Sequence, residues 1–78
     1  MIHLKIDTKV NRSWKDDTGR WSRMDGPAIE YMDGTKWWCI GGDLHRTDGP
    51  AIEAGDGRRE YWINGKMMSK EEFDALRD

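Results

Sequence analysis

One cysteine, two prolines, one phenylalanine and two histidines are all that this 78-residue chain holds of those types. With Cys39 alone, no internal disulfide can form, and a reducing compartment, the cytoplasm, is the expectation. Two histidines and one cysteine fall short of a closed zinc set, so no metal or other cofactor is expected. No apolar run approaches the roughly 20 residues of a membrane span. The start, Met1–Asp7, lacks the apolar stretch of a secretory signal, so no leader is expected. An excess of one charge is also missing: 13 basic and 15 acidic residues give a net charge of -2. Generic nucleic-acid binders are normally basic, so the balance argues against that class. The nine glycines match neither the phosphate-binding loop nor the dinucleotide fingerprint. His3 and His45 stand far apart, and no nucleophile or orienting carboxylate is fixed beside either. An enzyme is not expected.

What the chain does have is aromatic bulk. Apolar and charged residues each make up 36% of it, a balance close to that of disordered chains. Five Trp, two Tyr and one Phe offset this, because each ring carries a large buried area. A chain this short buries only roughly 60% of its unfolded surface, so a single domain spanning residues 1–78 is expected.

The chain also repeats itself. Residues 21–43, WSRMDGPAIEYMDGTKWWCIGGD, and residues 44–66, LHRTDGPAIEAGDGRREYWINGK, match at 11 of 23 positions without a gap. The identities are Arg23/Arg46, the block Asp25–Glu30 against Asp48–Glu53, Asp33-Gly34 against Asp56-Gly57, Ile40/Ile63 and Gly42/Gly65. Extended backwards, the same frame sets Trp14 against Trp37; forwards, it sets Met67 against Leu44 and Trp21. Two full units thus lie between an incomplete one (1–20) and an end segment (67–78).

Each unit reads as a β-hairpin. Pro27–Tyr31 forms a strand opened by a proline, Asp33-Gly34 a tight turn, and Thr35–Ile40 a second strand rich in aromatic and β-branched residues. Gly41-Gly42, matched by Asn64-Gly65, carries the chain into the next unit. The expected fold is mainly β: a continuous antiparallel meander of 23-residue hairpin repeats with a short C-terminal capping helix. Ile2, Leu4 and Ile6 alternate with polar residues as in a half-buried strand. Ser69 and Glu72 have capping-box spacing, with Met68 and Phe73 placed as a hydrophobic staple. Phe73 and Leu76 would then share the face that covers the sheet end.

Two copies in one chain separate shared fold positions from free ones. Trp21/Leu44/Met67, Ile29/Ile52, Trp38/Tyr61 and Ile40/Ile63 read as core. Cys39, aligned with Trp62, reads as a small buried hydrophobe. The Arg-x-Asp-Gly-Pro-Ala segment sets a charge pair beside a turn, and its recurrence favours a structural role over a catalytic one. Trp37 differs, because its counterpart is Glu60, a residue seldom buried unpaired. Trp14 and Trp37 therefore read as exposed indoles forming an aromatic strip, with Tyr31 adding bulk in the first unit. Lys36, Arg58 and Arg59 rim the strip, and Trp37→Ala should abolish partner binding at little cost in stability.

The segment His45-Arg46-x-Asp48-Gly49-Pro50-Ala51, with Asp56-Gly57 and Asn64-Gly65-Lys66, resembles the HR-x-DGPA repeats of small phage and bacterial proteins. Over residues 14–66 it is also similar to MORN-type repeats, which share the period and the hairpin layout. It departs from them where Arg46 and Asp48-Gly49-Pro50 replace the usual His-Gly and following Gly. The resemblance implies a non-enzymatic, protein-binding module, with some bacterial relatives acting as antitoxins. It further implies a phage-type inhibitor that sterically blocks a host defence or nucleic-acid-processing complex, as anti-CRISPR proteins do, in the host cell cytoplasm. A self-assembling module that dimerises through sheet edges is the alternative. A single-stranded nucleic-acid binder stacking bases on Trp14 and Trp37 is the third reading. The acidic residues Glu71, Glu72, Asp74 and Asp78 suit a basic partner.

Overall fold

The computed structural model describes residues 9–77; the alternating segment Ile2–Ile6 lies outside the described residues. Among the described residues the fold is mainly β, with eight short strands and one helix. In chain order these are β1 (Val10–Ser13), β2 (Ile29–Tyr31), β3 (Lys36–Trp37), β4 (Cys39–Ile40), β5 (Asp43–Leu44), β6 (Ile52–Glu53), β7 (Arg59–Ile63), β8 (Lys66–Met68) and α1 (Lys70–Arg77). Every pairing is antiparallel. Six strands form one sheet in the order β1-β2-β3-β6-β7-β8, and β4 pairs with β5 alone.

That order corrects the expectation of an uninterrupted meander. The second strand of the first unit breaks at Trp38, which leaves the ladder between β3 and β4. The β4–β5 hairpin therefore departs from the sheet, and β6 returns to pair with β3. Its turn, Gly41-Gly42, has φ of 58° and 91°, and Asn64-Gly65 joins β7 to β8 with 51° and 80°. Two successive positive φ angles are what a two-residue turn between twisted strands requires. The Asp33-Gly34 and Asp56-Gly57 turns use a positive φ at glycine only. In them Asp33 accepts the Thr35 N–H at 2.9 Å and Asp56 the Arg58 N–H at 3.1 Å.

Hydrogen bonds outside the ladders recur 23 residues apart. Ala28 N–H donates to Trp37 and Ala51 N–H to Glu60, each at 2.8 Å. Gly42 N–H donates to Trp21 and Gly65 N–H to Leu44, again at 2.8 Å. Trp14 breaks this spacing. Its N–H donates to Ala28 and its carbonyl accepts from Ser22, as Trp38 donates to Ala51 and accepts from His45. Trp14 thus occupies the place of Trp38 and not, as the gapless alignment has it, that of Trp37. The cause is a longer first loop: seven positions separate Trp14 from Trp21, but six separate Trp38 from Leu44.

The core is small. Ala28, Ile29, Cys39, Ala51 and Phe73 are buried, and Trp21, Tyr31, Trp37 and Leu44 pack partly buried against Ala28, Ile29 and Cys39. Two expected core residues, Ile40 and Met67, and Leu76 of the expected covering face are not inside. Ile40 is 38% exposed because its hairpin leaves the sheet, and Met67 and Leu76 are 55% and 65% exposed. The capping box forms as expected: Glu72 accepts the Ser69 N–H at 2.9 Å, and Ser69 Oγ accepts the Glu72 N–H at 3.1 Å. It directs Phe73, 1% exposed, onto Tyr61, with ring centroids 4.8 Å apart.

Candidate functional site

The register sorts the candidate residues onto two faces, because directly opposed residues in a sheet point the same way. One lateral row runs Ser13–Ile29–Trp37–Ile52–Glu60. The neighbouring row runs Arg12–Glu30–Lys36–Glu53–Arg59 on the opposite face. It alternates in charge across five strands, and Arg12 approaches Glu30 to 3.8 Å. Tyr31 shares the face of Trp37, and their rings meet edge to face with centroids 5.7 Å apart. Trp14 follows Ser13 and so turns to the charged face, where Arg12 lies 4.9 Å from its ring.

The expected aromatic strip is therefore divided. Tyr31, Trp37 and Arg58 stand together, whereas Trp14, Lys36 and Arg59 belong to the other face. Trp37 is half-buried, packed against the core and Tyr31, not a free indole. Trp14 is half-buried beneath Arg23, whose Cζ lies 3.8 Å from the ring centroid.

On the Trp37 face, Tyr31, Trp37, Ile52, Ala54, Arg58 and Glu60 line a groove of about 450 Å³. The two rings form a step against the smaller second unit, where Ala54 stands in place of Tyr31. Glu60 is fixed by the Trp62 indole N–H, which donates to Oε1 at 3.0 Å. Arg58 pairs with Asp56 at 3.0 Å at the exposed end. Burial pushes the Tyr31 phenol above its ordinary range, with the charges of Cys39 and Asp33 adding to the effect. The Thr35 N–H and hydroxyl hold the Asp33 carboxyl below its ordinary range. The groove thus offers apolar ring faces between a fixed carboxylate and an exposed guanidinium. Ile52 and Glu60 belong to it and were missed in the sequence, since neither differs in kind from a core or surface residue until the register sets it opposite Trp37.

The other face carries a cleft of about 520 Å³ between the two Arg-x-Asp-Gly-Pro loops, with Met24, Trp38, Ile40 and His45 among its walls. Its charged groups are engaged in the fold. Arg46 Nε bonds Asp48 at 2.8 Å, and Nη1 bonds the Pro50 carbonyl and Glu53, each at 3.0 Å. Arg23 bonds Asp25 at 3.0 Å and the Pro27 carbonyl at 3.3 Å. Each guanidinium lies over an indole, Arg46 on Trp38 and Arg23 on Trp14, and a Cβ on Gly49 or Gly26 would come within 2.9 or 3.0 Å of its Cζ. His45 Nδ1 accepts the Asn64 N–H at 2.9 Å, so that nitrogen serves the β7–β8 turn. Burial pushes the Cys39 thiol up to about 11, which keeps it protonated and a poor nucleophile.

Among the described residues no group of His, Cys, Asp and Glu is arranged to hold a metal ion, and no helix is long and apolar enough to cross a membrane. Comparison with protein-family models, curated proteins and solved structures finds no match to the chain.

Proposed function

We propose that this chain is a non-catalytic module of 23-residue hairpin units that binds a protein partner through the Tyr31–Trp37 groove. The observation that carries this reading is the ring pair itself. Tyr31 and Trp37 meet at 5.7 Å in one unit only, and their counterparts Ala54 and Glu60 leave the groove open beside them. Bulk that the second unit does without, set in a concave surface with one fixed acid and one exposed base, suits an interface hot spot. The engaged arginines of the opposite cleft and the buried, protonated thiol of Cys39 also favour binding over chemistry. The resemblance to HR-x-DGPA repeats supplies the setting: inhibition of a bacterial defence complex by steric blocking.

Tagged wild type and a Tyr31→Ala/Arg58→Glu variant, matched for circular dichroism and melting, test this by capture from bacterial lysate with mass spectrometry. One complex retained by wild type and lost from the variant is the expected result. Equal retention by both proteins would remove the groove from the interface.

A further inference from the structure

Three of the five tryptophans carry a cation of the chain over the ring: Trp14 with Arg12 and Arg23, Trp21 with Lys15, and Trp38 with Arg46. In two of these the guanidinium is also held by a carboxylate, Arg23 by Asp25 at 3.0 Å and Arg46 by Asp48 at 2.8 Å. Trp37 has the same surroundings without the cation. Glu60 shares its lateral row two strands away, with Ile52 between them. At roughly 5 Å per strand, the two backbones lie about 10 Å apart. Ala54, where the first unit has Tyr31, keeps the space beside the rings open. Glu60 Oε1 accepts the Trp62 indole N–H, and among the described residues no base pairs with this carboxylate. Asp33, the other carboxylate of the lining, is held by Thr35 and likewise has no basic partner among the described residues. Arg58, the one base in the lining, is already taken up by Asp56 at 3.0 Å.

We propose that the groove receives an arginine side chain of the protein partner, its guanidinium lying on the Tyr31–Trp37 rings and bonding to Glu60. The inference rests on the partner-binding reading and names the group that fills the groove. Charge decides the choice. A partner that covers Glu60 and Asp33 strips water from two carboxylates, which is unfavourable unless a cation arrives with it. An apolar or acidic side chain would leave them unpaired. Arginine suits the place better than lysine, because a planar guanidinium stacks on a ring and donates to a carboxylate at once. Arg46 does both within the chain, over Trp38 and to Asp48.

The probe is N-acetyl-arginine methylamide, titrated into the full-length protein at low salt and followed by the Trp37 indole and Glu60 amide resonances. Both should move and level off as the probe saturates. The citrulline analogue, of the same shape but uncharged, should leave them in place, and the lysine analogue should bind about threefold more weakly. Glu60→Gln keeps an oxygen for the Trp62 N–H and should weaken the arginine probe about fivefold or more. Resonances unmoved at about 50 mM probe, equal shifts with citrulline, or undiminished affinity in Glu60→Gln would overturn the proposal. The lysate capture keeps the two readings apart. A complex retained by wild type and lost from Tyr31→Ala/Arg58→Glu, with no response to the arginine probe, removes the arginine and leaves the groove. Equal retention by both proteins removes the two together.

Discussion

The guanidinium of Arg46 lies over the ring of Trp38, 3.8 Å from Cζ to centroid, and close beside Gly49. Its Nη1 meanwhile donates to the Pro50 carbonyl and to Glu53. One side chain thus ties the loop to β6 and to the indole beside the break in the ladder. At 20% exposure the contact is largely shielded from water. A stacked cation contributes about 1 kcal/mol and charge-assisted hydrogen bonds about 2 kcal/mol, so Arg46→Ala should lose about 2–3 kcal/mol in urea unfolding. Arg46→Lys should recover less than half of that, because an ammonium cannot stack flat and donate as a fork.

The glycine beside this stack is tied to it. A Cβ on Gly49 would lie 2.9 Å from Arg46 Cζ, so alanine there must shift the guanidinium from its place over the ring. Gly49→Ala should cost about 1–2 kcal/mol alone and close to nothing in the Arg46→Ala background. A double-mutant cycle measures this coupling directly; additive losses would mean that Gly49 acts through its backbone alone.

Trp37 belongs to both the core and the groove. It packs on the Ala28–Ile29–Cys39 cluster and on Tyr31, so its removal costs buried area as well as any contact with a partner. Trp37→Ala should lower stability by about 2 kcal/mol, less than for a fully buried ring, and this corrects the expectation of a stability-neutral change. Thermal or urea unfolding of the variant reads it out.

Alkali should weaken the fold through Cys39. Its folded value, pushed up to about 11 from 9.0, means that the unfolded thiol ionises first. The stabilisation is fully present below pH 9 and is lost as pH rises through 11. Two pH units at 1.36 kcal/mol each make it about 3 kcal/mol. The raised phenol of Tyr31 acts in the same direction. Cys39→Ala should flatten the alkaline limb of a stability-against-pH curve, and below pH 9 Cys39 should react with thiol reagents only as fast as the protein opens.

The β class, the turns, the capping box and the burial of Cys39 were legible because each is set by neighbours within a few residues. The break at Trp38 was not, since residues 35–40 read as one continuous strand and only the return of β6 divides them. The division of Trp14 from Trp37 was hidden by a gapless alignment, because a loop one residue longer still leaves a tryptophan in frame. In a strand such a slip turns the side chain to the opposite face. The arginine–indole stacks lay in plain view as the shared Arg-x-Asp-Gly-Pro segment, but which ring each arginine covers depends on contacts between residues eight or nine positions apart.

Photocrosslinking in bacterial lysate tests the partner-binding groove most directly. A benzophenone amino acid at Ala54, inside the groove, is compared with one at Asp25, exposed on the opposite face. The expected result is one discrete heterologous product from position 54, absent from position 25 and competed away by untagged wild type. Crosslinks from position 25 alone, or only to a second copy of the chain, would contradict the groove as the partner site.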